Sequence, residues 1–258
     1  MEGSLFKGCL FLYTVLTFFW IFTTNWIFQN SIILRSTVMI SKSTFQFLKE
    51  IRKNNNKEWF LEHKALYLDA NENIKELMGE LELLLNTTDN IEEKKLFRIY
   101  KDVRFSKDKT PYKDYFSGYF KREGASRRGS YYFSVQPGNT IIGGGFYGPN
   151  KDDTFRIRKE FEMDNTIESI VNTKDFKKYF GELIGEGVAT APRGFDKNHP
   201  NIHWIRKKQW YVLRKFTDEQ VLAPSFAKEV HNTFLAVRPF FDYMSEVLTT
   251  NLDGESIL

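Results

Sequence analysis

Cysteine is nearly absent from this 258-residue chain: Cys9 is the only one. Everything after it lacks an intrachain disulfide, a cysteine metal site and a cysteine nucleophile, which fits a reducing compartment. Histidine is scarce as well. The four are His63, His199, His203 and His231. None has the two-histidine helical spacing of a zinc protease, and Pro200 argues against one helical face carrying both His199 and His203. No metal and no cofactor is expected. The sequence also has no glycine-rich loop ending in Gly-Lys-Ser/Thr, no dinucleotide fingerprint and no Gly-x-Ser-x-Gly elbow. Helix-turn-helix, zinc-finger and RNA-binding signatures are missing too.

Charge is missing from one stretch. Between Gly8 and Leu34 there is no Asp, Glu, Lys or Arg, and LFLYTVLTFFWIF is apolar enough for a membrane helix, which needs roughly 20 such residues. Three readings compete. Residues 1–38 are an apolar leader read through from a start placed too early, or a single N-terminal membrane anchor, or a signal peptide. No small-residue cleavage site supports the last. The first is favoured because Met39 precedes ISKSTFQFLKEI, a natural domain opening with Ser43 as N-cap and Gln46 as its capping-box partner. The expected organisation is a leader over 1–38, one domain over 39–250 and a tail over 251–258. The expected location is the cytoplasm, with membrane attachment only if residues 8–34 are translated and inserted.

What is present is ordinary in bulk and uneven in detail. Hydrophobic residues make up 41% and charged residues 27%, as in soluble globular proteins. Aromatic residues reach 16%, with 25 Phe, which suggests rings in the core and at a binding surface. The net charge is +4, yet between Lys94 and Arg128 twelve Lys/Arg face four Asp/Glu, a local balance of +8. Such a region attracts phosphate groups, nucleic acid or acidic lipid; the plainer alternative is a solvated, lysine-rich face.

Periodicity gives the elements. Residues 44–54 read as a short helix ended by Asn54-Asn55-Asn56. A long helix spans about 57–85, with a 3.6-residue stripe that includes His63, Leu66, Ala70, Ile74, Leu77 and Leu81. Residues 97–106 alternate, Phe97, Ile99, Val103 and Phe105 against Arg98, Tyr100, Asp102, Arg104 and Ser106, with Lys101 the single exception. That predicts a strand with one buried face. YFSGYF (115–120), YYFSV (131–135), TIIGGGFY (140–147) and WYVLRKF (210–216) predict further strands, the middle two joined at Gln136-Pro137-Gly138-Asn139. Two or three short helices follow Asp152, and a last helix covers about 225–248, with Pro239 expected to kink it. The fold class is α+β: one domain, a mostly antiparallel sheet in the middle third, helices at both ends.

The candidate site is RIYKDVRFSKDKTPYK, 98–113. On a strand, Arg98, Asp102 and Arg104 would share a face, two guanidiniums bracketing a carboxylate in a pattern suited to phosphate or carboxylate. The turn beyond adds Lys107, Lys109, Tyr112 and Lys113, stiffened by Pro111. Gly143-Gly144-Gly145 permits close approach of a ligand, so Gly144 joins the set. The plainer readings are an exposed ion-paired face and a tightly packed strand. PRGFDKNHPNIHWIRKKQW (192–210) mixes basic and aromatic residues in a way that can also hold single-stranded nucleic acid.

FLKEIRKNNNKEWFLEHKALY, LFRIYKDVRFSKDKTPYKDYFSGYF, YYFSVQPGNTIIGGGFYGP and APRGFDKNHP, in that order, resemble the domain of unknown function 2461 (DUF2461) family over about residues 42–248. Lys101 stands where the family's usual pattern has Arg. The resemblance implies one domain, a start near Met39 and the importance of 98–113; it supplies no catalytic residues. The expected function is binding of an anionic small molecule, phosphate- or carboxylate-bearing, in a basic cleft. The alternatives are an enzyme acting on a phosphorylated or nucleotide substrate with Asp102 as base, a nucleic-acid-binding module, and a membrane-tethered interaction protein.

Overall fold

Asn73 fixes where the described chain begins to fold. Its side-chain oxygen accepts from Ser41 N and Thr44 Oγ1, each at 2.9 Å, while its nitrogen donates to Met39 O. In this computed structural model, which describes residues 38–258, the N-cap is therefore Ser41 and not Ser43. Ser41 Oγ accepts from Thr44 N and helix α1 runs Lys42–Lys53. The expected leader lies outside the described residues, apart from Val38. No helix among the described residues is long and apolar enough to cross a membrane.

Each residue of the asparagine run has its own role. Asn54 caps the end of α1, and Asn56 accepts from Trp59 N to start α2, Lys57–Glu62. Asn55 reaches 57 residues along the chain, accepting from Tyr112 N and donating to Tyr112 O. The long helix divides at His63, whose ring stacks on Trp59 and whose Nδ1 hydrogen-bonds Trp59 O; α3 then spans Lys64–Leu85. Ala70, Ile74, Leu77, Met78, Leu81 and Leu85 are buried as the stripe predicts, but Leu66 is exposed.

The sheet is an antiparallel meander in the order β1-β2-β3-β4-β5. Its strands are β1 Ile91–Leu96, β2 Phe116–Arg122, β3 Ser130–Val135, β4 Thr140–Phe146 and β5 Trp210–Phe216. The β3–β4 turn is the expected one, with Gly138 at φ 77° and Asn139 N donating to Gln136 O. Between β4 and β5 lie α4 Lys151–Met163, α5 Thr166–Val171, α6 Lys174–Tyr179 and α7 Ile202–Ile205; α8 Asp218–Val221 and α9 Phe226–Thr249 follow β5. Helix α9 passes through Pro239 and buries Phe226, Val230, Phe234, Val237, Phe241, Met244 and Leu248. Burying each large side chain stabilises the fold by about 1.5–3 kcal/mol relative to exposure.

The expected strand over 97–106 is a correction. The strand lies earlier, in IEEKKL, an edge strand whose charges face solvent and guard against edge pairing. Pairing continues through Phe97 N to Ser117 O, Lys113 N to Ile99 O and Lys101 N to Pro111 O, then stops at Lys101. That residue is the one exception in the alternating pattern. Beyond it the chain is a loop, and Phe105, expected on the buried face, is 95% exposed.

The two sheet faces differ. One carries Phe116, Phe120, Tyr131, Phe133, Ile142 and Phe146 in the core, with Phe234 and Phe241 of α9 against Tyr131 at 4.9 and 5.1 Å. On the other, Tyr119, Tyr132, Ile141, Tyr211 and Leu213 remain partly exposed.

Candidate functional site: a glycine-floored aromatic groove beside a basic loop

The residues of 98–113 fall into three groups. Asp102 and Arg104 form a closed two-residue fork, with Arg104 Nε to Oδ1 at 2.9 Å and Nη2 to Oδ2 at 2.6 Å. This contact holds the exposed carboxyl below its usual range. Lys101 and Lys109 hold the loop together. Lys101 Nζ donates to Asp108 and Thr110, Asp108 Oδ1 accepts from Thr110 N in a local turn, and Lys109 Nζ donates to Val103 O. Tyr112 is buried at the base, its ring stacked on Phe60 at 4.1 Å.

The third group is Arg98 and Lys113. Among the described residues neither has a carboxylate within salt-bridge distance. Lys113 is half-buried, its Nζ 5.5 Å from the centre of the Phe97 ring and 5.7 Å from that of Tyr115. Burial, then the neighbouring Arg98 charge, lowers its pKa. Two cations held near each other, one of them desolvated, are a place where an anion relieves a cost. Lys107 lies on the exposed outer part of the loop. The set predicted from a shared strand face is thus dispersed: Arg98 and Lys113 stand by the sheet, Asp102 and Arg104 neutralise one another, and Tyr112 packs below.

The glycine run forms a floor. A groove of about 470 Å³ opens on the partly exposed sheet face, lined by Phe97, Tyr132, Ile141, Tyr147, Tyr211 and Leu213. In the sheet register Gly143 lies between Tyr132 and Leu213, and Gly145 between Ser130 and Tyr211. Alternation turns both glycines toward this face, and Gly145 lines the groove. Their lack of a side chain is also required by the backbone. A Cβ on Gly143 would run into the Val212 carbonyl, and Gly145 has φ +145° with the Tyr211 backbone beside it. Gly144 points the other way, toward Phe241 of α9; only its backbone contributes to the floor. Phe97 links the groove to the loop, since it is a groove wall and also carries the Lys113 ammonium.

A second charged cluster was not foreseen. Asp89 Oδ2 accepts from Arg122 Nε and Tyr131 Oη, each at 2.7 Å, and pairs ionically with Arg238 Nη1 at 3.2 Å. Arg122 is 2% exposed and Asp89 not at all. Arg122 also bonds Asp242 and the Arg128 carbonyl, tying the end of β2 to α9. Each Arg122 nitrogen and the Tyr131 hydroxyl donates to a partner, so the cluster serves as architecture. No group of three or more His, Cys, Asp or Glu among the described residues is placed to hold a metal ion.

Residues 43–243 match the family described as conserved hypothetical protein (DUF2461). No curated protein and no solved structure matches.

Proposed function

The chain belongs to the DUF2461 family, and we propose that it binds an anionic ligand whose flat or apolar body lies in the glycine-floored groove and whose phosphate or carboxylate meets Arg98 and Lys113. One observation carries this reading. Phe97 is shared, forming a wall of the groove and the ring beneath the Lys113 ammonium, so an apolar recess adjoins a cation that has no carboxylate partner among the described residues. The groove volume is in the range of small-molecule sites, roughly 300–1,000 Å³. Walls made of tyrosine and phenylalanine suit a planar body. The enzyme reading gains nothing here, because Asp102 has both oxygens engaged by Arg104 and a lowered pKa, poor properties for a base.

The test is thermal stabilisation by phenyl phosphate, set against phenol and inorganic phosphate. Phenyl phosphate should stabilise the protein more than either fragment. Arg98→Gln and Lys113→Gln should reduce its effect to that of phenol, and Tyr132→Ala should weaken both aromatic probes. Equal effects of phosphate and phenyl phosphate would remove the groove from the site.

A further inference from the structure

The cations around the open face are not gathered at one end of the groove. The sheet register aligns Phe97 with Ser117, Ser117 with Ser134, Ser134 with Ile141 and Ile141 with Lys215. Lys113, above Phe97, and Lys215 therefore close the two ends of a single row that crosses all five strands. Four interstrand steps of about 4.8 Å separate those ends by about 19 Å. A small ligand seated at Phe97 cannot reach Lys215.

The next row is Lys95, Tyr119, Tyr132, Gly143 and Leu213. Like Lys113, neither Lys95 nor Lys215 has a carboxylate within salt-bridge distance among the described residues. Between these cations the rings come in steps. Phe97 and Tyr119 pair at 5.7 Å, Tyr132 stands in the middle, and Tyr147 and Tyr211 pair at 5.4 Å on the far side. Tyr147 is 70% exposed.

We infer that this face binds single-stranded nucleic acid laid across the strands, with successive bases against Phe97, Tyr132 and the Tyr147–Tyr211 pair and phosphates at Lys113, Lys95 and Lys215. The inference rests on the groove reading above and extends it from one anionic group to a chain of them. The physics is that of aromatic platforms flanked by cations, where stacking tolerates any base because every base has a π-face. A sheet of this width accommodates two or three stacked bases. A duplex keeps its bases stacked on one another and cannot offer their faces to the tyrosines.

The experiment measures fluorescence anisotropy of the full chain with a labelled oligouridylate of roughly 12 nucleotides, long enough for such a site. Uridine monophosphate and a duplex of equal length are competitors, and each variant is first checked for an unchanged melting profile. The oligonucleotide should bind at least about tenfold more tightly than the mononucleotide, and about tenfold or more weaker when salt rises from about 50 to 200 mM. Lys215→Gln should lower the salt slope by about 0.7, the share of one single-strand phosphate contact, and leave the mononucleotide unaffected. Tyr132→Leu should cost about tenfold for both ligands, as loss of one stacked base does. If the mononucleotide binds as tightly as the oligonucleotide and Lys215→Gln changes neither, the nucleic-acid inference falls and the small-ligand reading stands. If the duplex competes equally and Tyr132→Leu is silent, binding is charge alone and the inference falls. If neither ligand binds and phenyl phosphate does not stabilise the protein, both readings fall.

Discussion

Two carboxylate–guanidinium clusters in this protein use the same chemistry in opposite environments. Asp89 and Arg122 sit in the core, 0% and 2% exposed, with Tyr131 and Arg238 completing the shell. Asp102 and Arg104 lie on a loop, largely exposed, in a fork of two hydrogen bonds at 2.9 and 2.6 Å. Water makes the difference. Outside, solvent replaces whatever a removed partner supplied; inside, nothing does, and a lone charge bears its full desolvation cost. Good geometry thus says little about stability, and burial says much.

The largest effect should come from breaking the inner cluster. Arg122→Gln or Asp89→Asn is expected to lower the stability of the fold by about 3–5 kcal/mol, the usual result of leaving one buried charge unpaired, seen as a lower midpoint in urea unfolding. A loss below 1 kcal/mol for both would mean that the cluster admits water and the contrast with the loop is false.

The groove glycines come next. Gly145→Ala puts a Cβ at φ +145° against the Tyr211 backbone and should cost about 2 kcal/mol or more, combining backbone strain with overlap. Gly138→Ala is the matched control, since it also has positive φ but open space around it, and should cost about 1 kcal/mol. Equal losses at the two positions would show that close packing of β4 on β5 is not what demands glycine.

A smaller effect distinguishes the inner cluster by pH. Burial, with the hydrogen bond to Asp89, raises the Tyr131 pKa above its ordinary value of 10.0. The folded protein then keeps a proton that the unfolded chain gives up, so the stabilisation is complete below pH 10 and is lost as pH rises beyond it. Tyr131→Phe should cost about 1 kcal/mol at neutral pH, the worth of one hydrogen bond, and make the alkaline decline in melting temperature shallower. An unchanged alkaline slope would assign that decline to other tyrosines.

The sequence made the fold largely readable because its periods are strong. The buried stripe of α9, the turn at Gln136–Asn139 and four of the five strands follow from local pattern. What was not readable depends on distant partners. Ser41 outcompetes Ser43 as N-cap because Asn73 holds the backbone there. IEEKKL is a strand only because β2 runs beside it, and its charges hide the pattern. The 97–106 alternation was real as far as Lys101 and misleading beyond it. Of the residues proposed to form the site, Lys113 and the glycine run could be singled out from sequence. The tyrosines across from the glycines could not, because register is set by pairing and not by any one strand. Asp89 and Arg122 had no local signal at all.

The smallest stability effect is expected in the outer cluster, and it sharpens the contrast most. Asp102→Asn and Arg104→Gln should leave the melting curve superimposable on that of the parent. Each group is solvated, and the pair they form is screened by salt and offset by side-chain entropy. Lys101→Gln is the informative neighbour. Lys101 is only partly exposed and bonds both Asp108 and Thr110, so its loss should loosen the loop without unfolding the domain. Amide hydrogen exchange reads this directly. Protection at Thr110 and Lys113 should fall in Lys101→Gln and stay unchanged in Arg104→Gln, while the strands keep theirs. If Arg104→Gln instead lowers the global melting temperature, the fork is part of the fold's support, and the division between an architectural cluster inside and a dispensable one outside does not hold.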